Sequence, residues 1–109
     1  MRAVIHGQVV DEKGRCRHYQ GSSDVVANKC FTCNIYWACH QCHAAAKSHR
    51  FGPAPRTALA VVCGACGLEM NYHSYARDQR DPTRPACPGC GHAFNPGCAV
   101  HAELYFQPR

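Results

Sequence analysis

Long apolar runs are missing from this chain of 109 residues. No stretch suffices for a membrane-spanning helix, and Met1-Arg2-Ala3-Val4-Ile5-His6 passes straight into polar sequence without the apolar segment of a secretory signal. Neither membrane insertion nor export is therefore expected. The expected compartment is the cytoplasm, where thiols stay reduced and disulfides do not persist. Large apolar side chains are also scarce: few Leu or Ile, four Phe and one Trp, while ten of the residues counted as hydrophobic are cysteines. A core so supplied is marginal unless a disulfide or a metal staples it. Carboxylates number only seven. There is no H-E-x-x-H, and no H-x-E precedes Pro85-Ala86-Cys87-Pro88-Gly89-Cys90, so the general base that a hydrolytic zinc site or a deaminase needs is missing. No catalytic residue is assigned, and no enzyme activity is expected.

The formal charge of +5 invites a nucleic-acid reading. It shrinks once cysteines ligate metal, because nine thiolates around three dications remove about three charges and leave about +2. Lys and Arg are dispersed with no run of five, so the electrostatic footprint of a nucleic-acid binder is weak and no such partner is expected.

What the chain does have is ten cysteines, several in C-x-x-C pairs, interspersed with eight histidines. A disulfide scaffold has no use for histidine, whereas a zinc site does. The clearest signal is Cys63-Gly64-Ala65-Cys66 and, after 20 intervening residues, Cys87-Pro88-Gly89-Cys90. Two residues between cysteines let one tight turn aim both sulfurs at a single point, and two such turns make a four-cysteine zinc site. Gly67 and Gly91 follow the pairs, where a positive φ is often required.

The first half holds Cys16, His18, Cys30, Cys33, Cys39, Cys42, His43 and His49, enough for two ions. On an extended strand Cys16 and His18 face one side. Cys42 and His43 are adjacent and suit two different metals. The simplest partition is interleaved: Cys16, His18, Cys39 and Cys42 for one ion, and Cys30, Cys33, His43 and His49 for the other. His43 and His49 lie six positions apart, off a common helical face, so the short helix favoured by Ala44-Ala45-Ala46-Lys47 must unwind before His49. A sequential partition, with Cys16, His18, Cys30 and Cys33 together, is the alternative. Twelve ligands at four each give about three Zn2+ per chain. Cys98 and His101 are left over. They can form a reactive pair, bind a further metal with His73 or His92, replace an assigned ligand, or be plain structure. His6 and His40 are expected at the surface. Tyr19, Phe31, Tyr36, Trp37, Phe51 and Phe94 flank ligands, and packing between zinc sites explains them better than a base-stacking platform.

Strands are expected over residues 3–10, at Ala58–Val62, delivering Cys63, and around Leu104-Tyr105-Phe106. Gly52, Pro53 and Pro55 mark a break. The reading is a small irregular zinc-stabilised domain with short β-hairpins and one or two short helices. Residues 1–50 hold the first zinc cluster with its two interleaved sites, 51–62 connect, and 63–109 hold the second zinc cluster and the tail, all packed as one unit.

Cys16-Arg17-His18-Tyr19, Asp24-Val25-Val26-Ala27 and Tyr36-Trp37-Ala38-Cys39-His40-Gln41-Cys42-His43 resemble the CHY-type zinc finger family. Cys63-Gly64-Ala65-Cys66, Cys87-Pro88-Gly89-Cys90 and Phe94-Asn95-Pro96-Gly97-Cys98 with Leu104-Tyr105-Phe106 resemble its short stand-alone members. The resemblance implies about three metals with the first two sites interleaved. Many short members have adjacent cysteines where this chain has Cys30 and Cys33. Cys33 matches the family position, and the role of Cys30 rests on C-x-x-C geometry. The family includes the N-terminal zinc module of a RING ubiquitin ligase and a fungal helper of small Tim assembly in the mitochondrial intermembrane space. No RING sequence follows here, so ligase function is not expected. Two function classes remain: a structural zinc scaffold acting as a protein-interaction module, or a zinc- or thiol-handling factor acting on client proteins.

Overall fold

The computed structural model describes residues 4–11, 13–21, 24–77, 86–94 and 105–107. Its frame is a sheet of short strands: β1 (Ile5–His6), β2 (Val26–Cys30), β3 (Ile35–Trp37), β4 (Val61–Cys63) and β5 (Glu69–Met70), in the order β1-β3-β2-β4-β5. Two helices complete it, α1 (His40–Ala46) and α2 (Tyr72–Arg77). β1 pairs parallel to β3, and the other pairings are antiparallel. β2–β3 and β4–β5 are hairpins, as the sequence suggests. The strand expected over residues 3–10 is shorter: only Ile5–His6 enters the sheet, and Val9 makes an isolated bridge to Cys16. Gly7, at φ 123°, breaks it, for a Cβ there would lie 2.8 Å from Cys42 Sγ. Near the C-terminus Phe106 makes a single parallel bridge to Ala54.

Alternation along the strands divides the apolar residues between two faces. Val26 and Cys30 of β2, Trp37 of β3, and Val61 and Cys63 of β4 lie on one face. Ala27, Tyr36 and Val62 lie on the other as a small separate cluster with Ile5. That second face is thin, and Tyr36 Oη closes it by donating to Glu69 Oε1 at 2.9 Å. The first face carries the main core, in which Val25, Val61, Met70, Tyr75, Phe94 and Phe106 pack around Cys63 and Cys87. Cys16, Cys30, Trp37, Cys39 and Cys42 form a further cluster. The scarcity of large aliphatics thus has a structural counterpart: cysteines occupy core positions.

β2 and β4 are neighbours with Val26 opposite Cys63, so the sheet itself spans from the ligands of the first half to those of the second. The tail adds a second link. Ala54 donates to the Tyr105 carbonyl at 2.8 Å, Gln107 donates to the Ala54 carbonyl at 2.8 Å, and Phe106 meets Tyr72 edge to face at 4.9 Å.

Candidate metal centres

Three groups of four donor atoms come together, in each case with every atom within 4.8 Å of the others: Cys16, His18, Cys39 and Cys42; Cys30, Cys33, His43 and His49; and Cys63, Cys66, Cys87 and Cys90. The first two are the interleaved sets, and the sequential partition does not occur. The nine described cysteines form no disulfide. Cys98 and His101 lie outside the described residues.

The first centre is built by a turn and a helix start. Cys16 and Tyr19 exchange backbone hydrogen bonds at 3.1 Å in both directions, so Arg17 and His18 form a tight two-residue turn. The extended strand invoked from the sequence is not what pairs Cys16 with His18; the turn folds them together. Cys39 is the N-cap of α1, with extended φ and ψ of −160° and 168°, and its sulfur accepts from the Cys42 N–H at 3.4 Å. A cysteine here takes the role usually played by Ser or Asp. Another of the helix's orphan N–H groups, that of His40, donates to Tyr105 Oη at 3.2 Å. His40 is accordingly half-buried rather than at the open surface. His18 Nδ1 lies 3.4 Å from Cys39 Sγ and 3.5 Å from Cys42 Sγ, and Cys39 Sγ is 3.6 Å from both Cys16 Sγ and Cys42 Sγ. A tetrahedron with Zn–S of about 2.3 Å and Zn–N of about 2.0–2.1 Å has edges of about 3.8 Å between sulfurs and about 3.5 Å from sulfur to nitrogen. The observed spacings fit those edges.

The second centre depends on where α1 stops. Lys47 is extended at φ −126° and ψ 148° and donates to the His43 carbonyl at 2.9 Å, which turns the chain out of the helix after Ala46. The unwinding required by the six-residue step thereby occurs, and His49 Nε2 returns to 3.1 Å from His43 Nε2. Cys42 and His43, about 100° apart around the helix, serve different centres. His43 is 2% exposed and is wedged between Trp37 and Phe51, with ring centroids at 5.3 and 5.0 Å. The aromatics near this centre therefore pack around a ligand.

The third centre uses two knuckles. Cys63 Sγ is 3.8 Å from Cys90 Sγ, and Cys66 Sγ is 3.7 Å from Cys87 Sγ. Gly67 and Gly91 adopt φ of 82° and 77°, as their positions suggested, and donate to the carbonyls of Cys63 and Cys87 at 2.6 and 2.9 Å. The Cys30-Phe31-Thr32-Cys33 turn repeats this geometry. Asn34 stands in the glycine place at φ 58° and donates to the Cys30 carbonyl at 2.7 Å. Asparagine is among the few residues that tolerate the left-handed region, so the sequence did carry a signal for this third knuckle.

The electrostatics explain why a cation belongs among these sulfurs. Burial pushes the Cys39 thiol well up, and the sulfurs of Cys16 and Cys42 add to the effect. Burial likewise raises Cys63 to about 12, with Cys87 contributing. Thiols packed this closely cannot ionise together unless a dication neutralises them. Backbone donors are already aimed at several. Gln8 N–H points at Cys42 Sγ at 3.4 Å, Gly89 N–H at Cys87 Sγ at 3.3 Å, and Gly52 N–H at Cys30 Sγ at 3.1 Å. At Cys30, burial acts upward, but the N–H groups of Gly52, Cys33 and Thr32 and the His49 ring outweigh it and hold the thiol down at about 6. The close approach of Gly52 needs glycine, because a Cβ would run into Thr32. Four sulfur or imidazole donors at tetrahedral spacing, with surrounding N–H groups, are a donor set that fits zinc. Closed four-ligand sets of this kind serve structure.

Comparison with known proteins gives a consistent relationship. The chain is 38% identical to Helper of Tim protein 13 of Kluyveromyces lactis, covering 97% of this chain and 90% of that one. It is 34% identical to Helper of Tim protein 13 of Saccharomyces cerevisiae, covering 98% and 93%. An uncharacterized protein of Schizosaccharomyces pombe is 36% identical over 94% and 88%. No family model and no solved structure matches the chain. Identity at this level along almost the whole length of each partner places the chain in the Helper of Tim protein 13 family.

Proposed function

We propose that this protein is a CHY-type zinc finger scaffold, non-catalytic, in which three Zn2+ ions hold a surface that binds a protein partner. The observation that carries this reading is the set of three ligand tetrads, each closed within 4.8 Å and built from the donors zinc prefers. Among the described residues each set has four donors, which supports closed structural sites over the open three-ligand site of a catalytic zinc. The relatives named Helper of Tim protein 13 support small Tim proteins as the partner class. No helix among the described residues is long and apolar enough to cross a membrane. Unpaired cysteines suit a compartment that keeps thiols reduced or metal-bound, for which the cytoplasm is our reading; kinship with Tim helpers sets the mitochondrial intermembrane space against it. Imaging of the tagged native protein separates the two.

The test of the interaction role is direct. Zinc-loaded protein is titrated with purified small Tim proteins and followed by calorimetry and size-exclusion chromatography. A saturable complex is expected. No association at concentrations of tens of micromolar would remove the assigned partner class (weaker than about −6 kcal/mol of binding).

One observation favours the second reading, a zinc- or thiol-handling factor. In the third centre Cys90 is exposed and Cys66 half-buried, whereas Cys16, Cys39 and Cys42 of the first centre are all buried. A handling role would use that open corner, and transfer of zinc or of a disulfide to or from a client would be measurable there. A third centre whose metal resists mild chelators for hours while the first centre stays loaded would argue against it.

A further inference from the structure

Beside the second centre an open groove of about 680 Å³ runs along the end of α1 and over the following turn. Its lining is unbalanced in charge: it includes Lys47, Arg50 and His40 and no Asp or Glu. Lys47 and Arg50 are exposed, and neither makes an ion pair among the described residues. The same lining includes Ala44 and Pro53, both exposed, and half-buried Phe51, which add apolar surface to it. Phe51 is held in place from behind, by Tyr105 at 5.0 Å and His43 at 5.0 Å, both edge to face. Phe51 is therefore fixed in place by the rings of His43 and Tyr105.

We propose that this groove docks an acidic, apolar-bearing extended segment of a partner protein. The proposal rests on the interaction-module reading and specifies the surface and the chemistry of what it binds. Three features set the occupant. Two exposed cations with no counter-charge among the described residues select carboxylates. The apolar surface of Ala44, Phe51 and Pro53 in the same lining selects a large apolar side chain near those carboxylates, which supplies the burial that surface ion pairs lack. A volume of about 680 Å³ suits a short extended segment better than a folded face. Because His43 and His49 lie in its wall, a segment lying in the groove also covers the second centre.

The experiment uses the zinc-loaded full chain. Random eight-residue peptides displayed on phage are selected on it, and the enriched sequences are synthesised with a fluorophore for anisotropy titrations. Enrichment of sequences with Asp or Glu flanking a large apolar residue is expected. Affinity should fall about tenfold in the K47E/R50E double variant, an effect of the size that removal and reversal of surface pairs produces, and it should fall with salt. Zinc content and far-UV circular dichroism of the variant should match the parent, since both side chains are exposed. Bound peptide should also slow metal loss from the second centre, read by the fluorescence of Trp37, the sole tryptophan, which lies 5.3 Å from His43. The proposal is overturned if no peptide enriches, if enriched peptides lack acidic residues, or if they bind K47E/R50E as tightly as the parent. It also falls if K47E/R50E keeps full affinity for small Tim proteins, an outcome that leaves the module reading standing. Loss of small Tim binding by the parent itself strikes that wider reading instead.

Discussion

Cys39 carries two tasks on one atom, and Cys39→Ser separates them. Its sulfur lies 3.4–3.6 Å from three other donors of the first centre, and it also caps α1 by accepting the Cys42 N–H at 3.4 Å. Serine is a good N-cap and a poor zinc ligand, so Ser keeps the cap and loses the metal bond. If a four-ligand zinc site supplies about 10–16 kcal/mol, one ligand accounts for about 2.5–4 kcal/mol, or two to three decades in affinity. Cys39→Ala loses the same ligand and also the cap, a further ~1 kcal/mol. Competition titrations against a chromophoric chelator measure the first quantity, and thermal unfolding at fixed free zinc measures the gap between Ser and Ala. A Cys39→Ser protein that binds three zinc ions with parental affinity would refute the ligand assignment. Equal stability of the Ser and Ala variants would refute the capping role.

Four further outcomes are expected. Gly91→Ala should cost about 1–2 kcal/mol, since the site is spacious and only the positive φ is strained. Gly64→Ala should cost more, above ~4 kcal/mol, because the added Cβ would collide with the Lys13 carbonyl oxygen and must dislodge that loop; chemical denaturation of the two variants ranks them. Chelators at neutral pH should strip the third centre first, where Cys90 is exposed, and leave Trp37 fluorescence unchanged in that phase; a simultaneous change would contradict the order. Complete demetallation should collapse the dispersion of the amide NMR spectrum, since three zinc sites outweigh the roughly 5–15 kcal/mol of an ordinary domain's stability.

The three donor clusters were legible because metal-binding chemistry is written in short spacings. Cys63 with Cys66 and Cys87 with Cys90 needed only the C-x-x-C rule, and the interleaving of the first eight ligands followed from Cys42 and His43 being adjacent. Cys16 and His18 meet through a two-residue turn, not along an extended strand, and their spacing alone does not distinguish the two. Other features depend on long-range contacts. Nothing local in the sequence says that Tyr105 caps α1 from 65 residues away or that Gly52 donates to the Cys30 sulfur. The strand over residues 3–10 was overread because Val4, Val9 and Val10 suggest β structure. All three are exposed, and Gly7 interrupts the pairing where the chain passes over Cys42. Asn34 was a missed clue, since a left-handed residue after a C-x-x-C pair completes the knuckle at Cys30 as glycine does at the other two.

The central claim, that three zinc ions hold this fold, is tested most directly by native mass spectrometry of the purified protein beside elemental analysis of the same sample. The expected result is a single dominant species carrying three zinc ions per chain, with Cys16, Cys30, Cys33, Cys39, Cys42, Cys63, Cys66, Cys87 and Cys90 all recovered as thiols after denaturation in acid. A folded species with one zinc or none, a different dominant metal, or disulfides among those nine cysteines would contradict it.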